Sequence, residues 1–324
     1  MMMADSSLPD LQRKPHALGA WLASASRLLG ALLREPTGAI GFIMIVLLCM
    51  IALCAPLLPL KDPLRIYIEH RLEAPGAAFW LGTDQVGRDI LSRTIWGARA
   101  SLSIGICAVA IGLVLGTGIG LVAGYKAGSW LDETLMKVME VLASIPLLIW
   151  AIALVGITGT DTLHVGFLAL TNEAKLVLLI GVLYAPGLAR LTHSLAKAEA
   201  QAEYVAARHL QGASDWRIMV SDILPNIISP VLIQASLLLG VTIIVEASLS
   251  FIGLGVQPPT PSWGAMLSDA RVLIFTDNWW VSVFPGVAVF LSVLAFNLFG
   301  DSMRTVLDPR RRNVRAAHVP GASL

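Results

Sequence analysis

The chain has 324 residues, 56% of them hydrophobic and only 14% charged, with a formal net charge of +1 and a mean hydropathy of +0.74. Ordinary globular chains carry about 25% charged residues, so the composition argues against a water-soluble domain, and the small net charge gives no field that would attract nucleic acid. Cys49, Cys54 and Cys107 all fall inside apolar runs, a pattern of packing residues with neither a disulfide framework nor a CxxC metal site.

The first 17 residues are polar. The stretch 18–33 repeats apolar residues at helical spacing (Leu18, Trp21, Leu22, Leu28, Leu29, Leu32) with Arg27 and Arg34 beside the stripe. It reads as an amphipathic helix on a membrane surface. It is not a convincing signal peptide, because no small-residue cleavage site separates it from the longer apolar run that follows.

Six apolar runs then approach or exceed the length of about 20 residues that crosses a bilayer. They cover about 39–58, 101–123, 136–157 with Pro146 inside, 176–191 with Pro186 inside, 227–251 and 281–299. In the second run Gly112, Gly116, Gly120 and Gly124 recur every four residues and form one bare ridge. Such a ridge lets two membrane helices approach closely. It is not a phosphate loop, and no GxxxxGK[ST] occurs anywhere.

Six spans put both tails on one side. The tails carry Arg13, Lys14, Arg27, Arg34, Arg304, Arg310, Arg311, Arg312 and Arg315, and the polar stretch before the fifth span adds Arg190, Lys197, Arg208 and Arg217. Positive residues near span ends favour the cytoplasm, so both tails and this stretch are assigned inside. The segment 61–100, assigned outside, holds six basic residues of its own. The tails decide against it.

The polar stretch itself, 203–226, reads EYVAARHLQGASDWRIMVSDILPN. It predicts a helix over 203–210, a cheap bend at Gly212, Ser214 as N-cap, and a second helix over 215–222 with Trp216 and Ile218 as its apolar surface. Pro225 is expected to stop that helix and launch the fifth span. Helix, bend and helix projecting from two spans make a lever.

Elsewhere, Asp84, Arg88, Asp89 and Arg93 are spaced to pair locally, with Ile90, Leu91 and Trp96 expected toward lipid headgroups. Glu140 and Lys137 suggest an interfacial pair. Trp263, Trp279 and Trp280 suit a membrane interface. Glu246 lies deep in the fifth span, where a charge is expensive and should face protein or water. It either lines a path or is hydrogen-bonded between helices. The six histidines form no ligand-spaced cluster, so no metal site is expected.

Four stretches carry a family resemblance: REPTG at 34–38 leading to APLL at 55–58, LGTDQVGRDILSRTIWGARASL at 81–102, FIGLGVQPPTPSWGAML at 251–267, and the 203–226 loop with its spacing from Gly212 to Leu224-Pro225. In this order they resemble the peptide/nickel permeases of ABC importers, the dipeptide/oligopeptide "C" type, whose cytoplasmic "EAA" loop docks on a separate ATPase. The loop departs from the family pattern. Ala206 replaces the usual acid, Arg208 stands where the second alanine is expected, and Asp222 holds a place often taken by His or Ile.

The resemblance implies an all-α integral membrane protein with the type I importer permease fold and about six transmembrane helices. It divides the chain into a cytoplasmic tail (1–36), a first span (37–60), an extracytoplasmic segment (61–96), a core transmembrane domain (97–301) with coupling loop 193–226, and a cytoplasmic tail (302–324). It assigns ATPase docking to Ala207, Arg208, Gly212, Ala213, Ser214, Trp216, Leu224 and Pro225; the residues themselves offer Glu246 a place on the substrate path, and Asp84, Arg88, Asp89 and Trp263 an outer gate or binding-protein contact or else only an anchoring role at the interface.

It also implies a bacterial inner-membrane complex with a homologous second permease, two ATP-binding subunits that hold ATP and Mg, an extracytoplasmic solute-binding protein and surrounding lipid. This chain itself would carry no cofactor and no catalytic residue. The expected cargo is short peptides, with nickel chelates or glutathione-like solutes as the alternative. A secondary transporter would need paired intramembrane charges and an inverted repeat, and neither stands out. An intramembrane enzyme would need a catalytic pair within the spans, and none is seen.

Overall fold

The computed structural model describes residues 30–165, 168–273 and 275–307. The expected amphipathic stretch 18–33 lies mostly outside the described residues, as does the tail beyond 307. In chain order the elements are α1 (Pro36–Cys54), α2 (Ile90–Tyr125), α3 (Trp130–Ser144), α4 (Leu147–Thr158), the strands β1 (Leu163–Val165) and β2 (Leu168–Leu170), α5 (Asn172–Ala200), α6 (Glu203–Leu210), α7 (Asp215–Arg217), α8 (Leu224–Phe251), α9 (Trp263–Ala270) and α10 (Trp280–Leu307). β1 and β2 form one antiparallel hairpin. Among the described residues five helices are long and apolar enough to cross a membrane, or six if the bent pair α3–α4 counts as one span.

The third expected span is therefore broken. The run 136–157 was expected to continue through Pro146, but α3 and α4 meet at 84°. Proline has no N–H to donate and disfavours a helical residue before it. Ile145 is accordingly extended, with φ −97° and ψ 125°. Pro186 of α5, Pro230 of α8 and Pro285 of α10 stay within unbroken helices.

The centre of the fold is α2 packed against α5. A Cβ added at Gly116 would come within 2.6 Å of Leu188 Cβ, at Gly120 within 2.4 Å of the Ala189 carbonyl, and at Gly124 within 2.5 Å of the His193 carbonyl. Gly181 of α5 returns the contact, 2.9 Å from the Ala108 carbonyl. The bare ridge thus meets a neighbouring span, as its spacing predicts, and the two helices run parallel, since Gly112, Gly116, Gly120 and Gly124 meet successively later residues of α5.

α10 closes the other side, against α1 and α8. Thr37 and Ser302 share a hydroxyl hydrogen bond of 3.0 Å, and a Cβ at Gly41 would meet the Phe299 nitrogen at 2.7 Å. A Cβ at Gly300 would touch Leu237 at 2.6 Å. These contacts bring the start of α1 and the end of α10 to one end of the bundle and lay α10 against the middle of α8. Leu121 near the end of α2 joins Ile218 and Ile223 in one buried cluster at that end. The outward faces of α1 (Ile43, Leu47, Met50, Leu53) are exposed and apolar, suited to lipid.

At the opposite end, the segment 61–89 is ordered with little regular structure. Trp280 Nε1 donates to the Thr83 carbonyl at 3.2 Å, and the Lys61 ammonium lies 3.3 Å from the Phe79 ring centroid. Ile90, expected at the headgroups, is instead fully buried with Met266 and Val281.

Candidate functional site

The polar loop folds as a bent lever welded to two spans. α6 ends at Leu210, and Gly212 takes φ +76°, a conformation that favours glycine. No atom lies within 4 Å of where its Cβ would be, so the backbone conformation alone requires glycine there. Ser214 occupies the N-cap position of α7 but makes no capping bond with its side chain. The first turn instead closes through Ile218 N–H to the Ser214 carbonyl, 3.0 Å.

Pro225 does not stop the second helix. α7 runs through a π turn (Ile218–Ile223) directly into α8, so the lever arm and the fifth span form one continuous rod. Leu224 N–H reaches back five residues to the Met219 carbonyl. This wider turn precedes proline at the start of α8, where the missing N–H is harmless.

One face of the lever is buried. Val205, Ile218, Met219 and Ile223 pack with Leu121 of α2, Ala196 of α5 and Ile227 of α8, with Ala213 and Leu224 against them. The other face is bare. Leu210 is 91% exposed and Trp216 67% exposed, and Ala207 and Pro225 are exposed. Large apolar side chains left bare in a polar loop mark a contact surface.

Polar contacts fix the geometry. Arg208 Nε donates to Asp222 Oδ2 at 3.0 Å. Asp215 accepts from Tyr125 Oη at 3.0 Å and from the Lys126 ammonium, tying α7 to the end of α2. Tyr204 donates to Glu199 at 2.9 Å, and Asn226 donates to the same carboxylate at 2.8 Å. Partial burial, together with the bond to Glu199, raises the Tyr204 phenol to about 12. The Lys126–Asp215 tie was missed in the sequence, because residues 89 apart give no local spacing signal.

At the other end, four charges form a network. Asp84 accepts from Arg88 Nε at 2.6 Å and lies 3.7 Å from Arg93 Nε; Asp269 accepts from Arg88 Nη2 at 3.0 Å and lies 3.9 Å from Arg93 Nη2. The sequence pairing is corrected in part. Asp84 and Arg88 pair in a turn that precedes α2, and Asp89 does not pair with Arg93. Asp89 instead caps α2, accepting Ser92 N–H at 2.8 Å. Asp269 was missed, being contributed from α9. The expected Lys137–Glu140 pair is also replaced, since Lys137 binds Glu133 at 2.6 Å.

Trp263 is 1% exposed, with Nε1 donating to the Thr94 carbonyl at 2.9 Å. It is placed as a packing residue, not on a surface that a partner could reach. Trp280 is also buried, which leaves Trp279 as the exposed member of the three. Glu246 is fully buried. Its Oε1 accepts from Ser250 Oγ at 2.8 Å, its Oε2 makes no hydrogen bond, and the Ser101 and Ser262 hydroxyls face the group. It sits buried between helices. Among the described residues no cluster of metal ligands is found.

Comparison with known proteins places these features in a lineage. Residues 116–313 match the family described as "Binding-protein-dependent transport system inner membrane component". The chain is 39% identical over 283 residues to the glutathione transport system permease protein GsiD of Pectobacterium atrosepticum, covering 87% of this chain and 89% of that one. It is 35% identical over 313 residues to the dipeptide transport system permease protein DppC of Alkalihalophilus pseudofirmus, covering 97% of each. It is 39% identical over 285 residues to the di/tripeptide transport system permease protein DppC of Pseudomonas aeruginosa, covering 85% of this chain and 89% of that one. Among solved structures, the inward-facing MetNI methionine ABC transporter aligns with a TM-score of 0.53 at 18% identity, covering 68% of this chain and 98% of that one. That likeness speaks to the fold alone.

Proposed function

The chain belongs to the binding-protein-dependent transport system inner membrane components, the permeases of ABC importers, and from that premise we propose that it forms half of a translocation pathway for short peptides. It works in the bacterial inner membrane beside a homologous second permease, with two ATP-hydrolysing subunits on the cytoplasmic side and a solute-binding protein outside. Both tails and the lever face the cytoplasm. ATP and Mg are held by the partner ATPases.

The lever is the observation that carries this reading. Trp216 and Leu210 face outward while Ile218 and Ile223 are locked into the spans. A partner that grips the bare face moves α8 directly, because no break separates the arm from the span. Closure of two ATPases would then draw two such levers together and re-orient the bundle between inward- and outward-open states.

Purification of the tagged chain from membranes in mild detergent, with mass spectrometry of what is retained, tests the assembly. Recovery of two ATPase chains and a second permease, lost on Gly212→Trp, supports it. A lone chain that moves solute without ATP overturns it and favours an ion-coupled transporter. A second cargo reading, glutathione, has the GsiD likeness in its favour. Competition between a dipeptide and glutathione for ATP-driven uptake separates the two.

A further inference from the structure

A cavity of about 350 Å³ opens where the α3–α4 bend meets the middle of α5 and α8. Its walls are apolar apart from Tyr184, Arg190 and Gln234. Arg190 was counted with the polar loop by sequence position, but it lies inside α5, ten residues before its end at Ala200. Its neighbour Ala189 packs against Gly120 of α2, so the level is within the bundle.

Two of the three polar groups are uncommitted. Arg190 and Gln234 make no side-chain hydrogen bond or ion pair among the described residues. The Tyr184 hydroxyl is buried beside the Thr242 hydroxyl, whose own hydrogen goes to the Leu238 carbonyl at 2.6 Å. Arg190 is exposed at the end of the apolar run 176–191, where an unpaired arginine is least costly if it faces a cavity or the interface, and the cavity beside it is the one it lines.

Arg190 carries the one formal charge among the residues that line the cavity. No acid lines it, and its three polar side chains can all donate. α4 begins in its wall at Leu147 and α3 ends beside it at Ser144, so the opposite partial charges of these two helix ends offset each other there. A guanidinium fork fits a carboxylate with two parallel hydrogen bonds. The apolar remainder accepts side chains without distinction.

We propose that this cavity is the permease's own cargo site, in which Arg190, with Gln234, takes the C-terminal carboxylate of a passing short peptide. This deepens the importer reading and rests on it. Selection for a free carboxylate is then made in the membrane as well as by the soluble binding protein. Glu246, the acid that the sequence brings forward, has no part in it.

The test uses the full complex in proteoliposomes with ATP, and compares uptake of a dipeptide with that of its C-terminal amide. Arg190→Gln should lower uptake of the free acid by about tenfold, the order expected when a charge-assisted hydrogen bond is lost. Uptake of the amide and the ATPase rate stimulated by loaded binding protein should stay within about twofold. Arg190→Lys should retain part of the preference, because the charge remains without the fork.

Equal loss for both peptides makes Arg190 a structural residue and overturns the proposal, as does unchanged uptake of both. A defect reproduced in the wild type by removing anionic lipid assigns the arginine to a lipid headgroup, which also overturns it. A wild-type complex that moves neither peptide overturns the importer reading itself, whereas the Arg190 outcomes leave that reading standing.

Discussion

Arg208 of α6 and Asp222 of the π turn meet at 3.0 Å across the Gly212 bend. Both positions depart from the residues usual in the resembling loops, and the two departures answer each other. The side chains are 31% and 21% exposed, so solvent screens the pair and its stability contribution is about 1 kcal/mol or less. Its larger effect is to hold the two arms of the lever at one angle. A double-mutant cycle with Arg208→Ala and Asp222→Ala should give a small coupling in thermal unfolding. ATP-driven uptake should fall in each single variant by more than stability explains, and the exchanged pair (Arg208→Asp with Asp222→Arg) should recover part of it. Full uptake in both single variants would remove the clamp from the mechanism.

The α2–α5 contact makes a sharper prediction, because two glycines of α2 have opposite surroundings. A Cβ at Gly120 would come within 2.4 Å of the Ala189 carbonyl, whereas Gly118 has nothing within 4 Å. Gly120→Ala must push two backbones apart and should cost about 1–3 kcal/mol, the usual range for overpacking. Gly118→Ala should be neutral, or stabilising by up to about 1 kcal/mol through helix propensity. Thermal unfolding of the purified chain in detergent compares them, and equal melting temperatures would show that the helices do not meet along the ridge.

Much of this was legible because membrane helices announce themselves by composition. The runs 101–123, 227–251 and 281–299 fall inside α2, α8 and α10, and the four-residue glycine period identifies a packing face before any partner is known. Pro146 and Pro186 are where the pattern loses force. Both sit in apolar runs, yet only Pro146 breaks its helix, since Pro186 is buried between α5 and its neighbours while the α3–α4 junction is exposed. Pro225 misled for a related reason, as a π turn ahead of it let the helix continue. Asp269 and Lys126 were beyond reach, because each finds its partner across the fold. Arg190 was visible as a charge near a run, but only the cavity around it separates a loop residue from one inside a span.

The charge network near the start of α2 should be structural, and its members unequal. Asp84 is 6% exposed at its side chain and serves Arg88 and Arg93, the latter 3% exposed. Asp84→Ala strands both guanidiniums with Asp269 alone and should cost about 3 kcal/mol, as for other broken buried pairs. Asp269, with its side chain 32% exposed, should matter less. Asp89→Ala loses the helix cap and leaves the buried Ser92 hydroxyl unpaired, about 1–2 kcal/mol. Folded yield and melting temperature in detergent rank the three. An order with Asp89 first would show that the network does not anchor the segment 61–89 to the bundle.

Glu246 offers a clean separation between a packing role and a cargo role. Its carboxyl is fully buried, bonded to Ser250 at 2.8 Å and faced by hydroxyls, with no basic partner among the bonds it makes. An isolated ionised carboxylate is very costly in such a place, so the group should work as a neutral hydrogen-bonding strut between α8, α2 and the loop before α9. Glu246→Gln keeps the shape and one carbonyl acceptor. It should leave uptake within about twofold and the cargo preference unchanged. Glu246→Ala removes the acceptor, leaves buried hydroxyls unpaired and should destabilise by about 1–3 kcal/mol. Competition between a dipeptide and its N-acetylated form reads the alternative. If Glu246→Gln abolished discrimination between them while the protein stayed folded, the carboxylate would be meeting the cargo's amino group, and Glu246 would belong on the path after all.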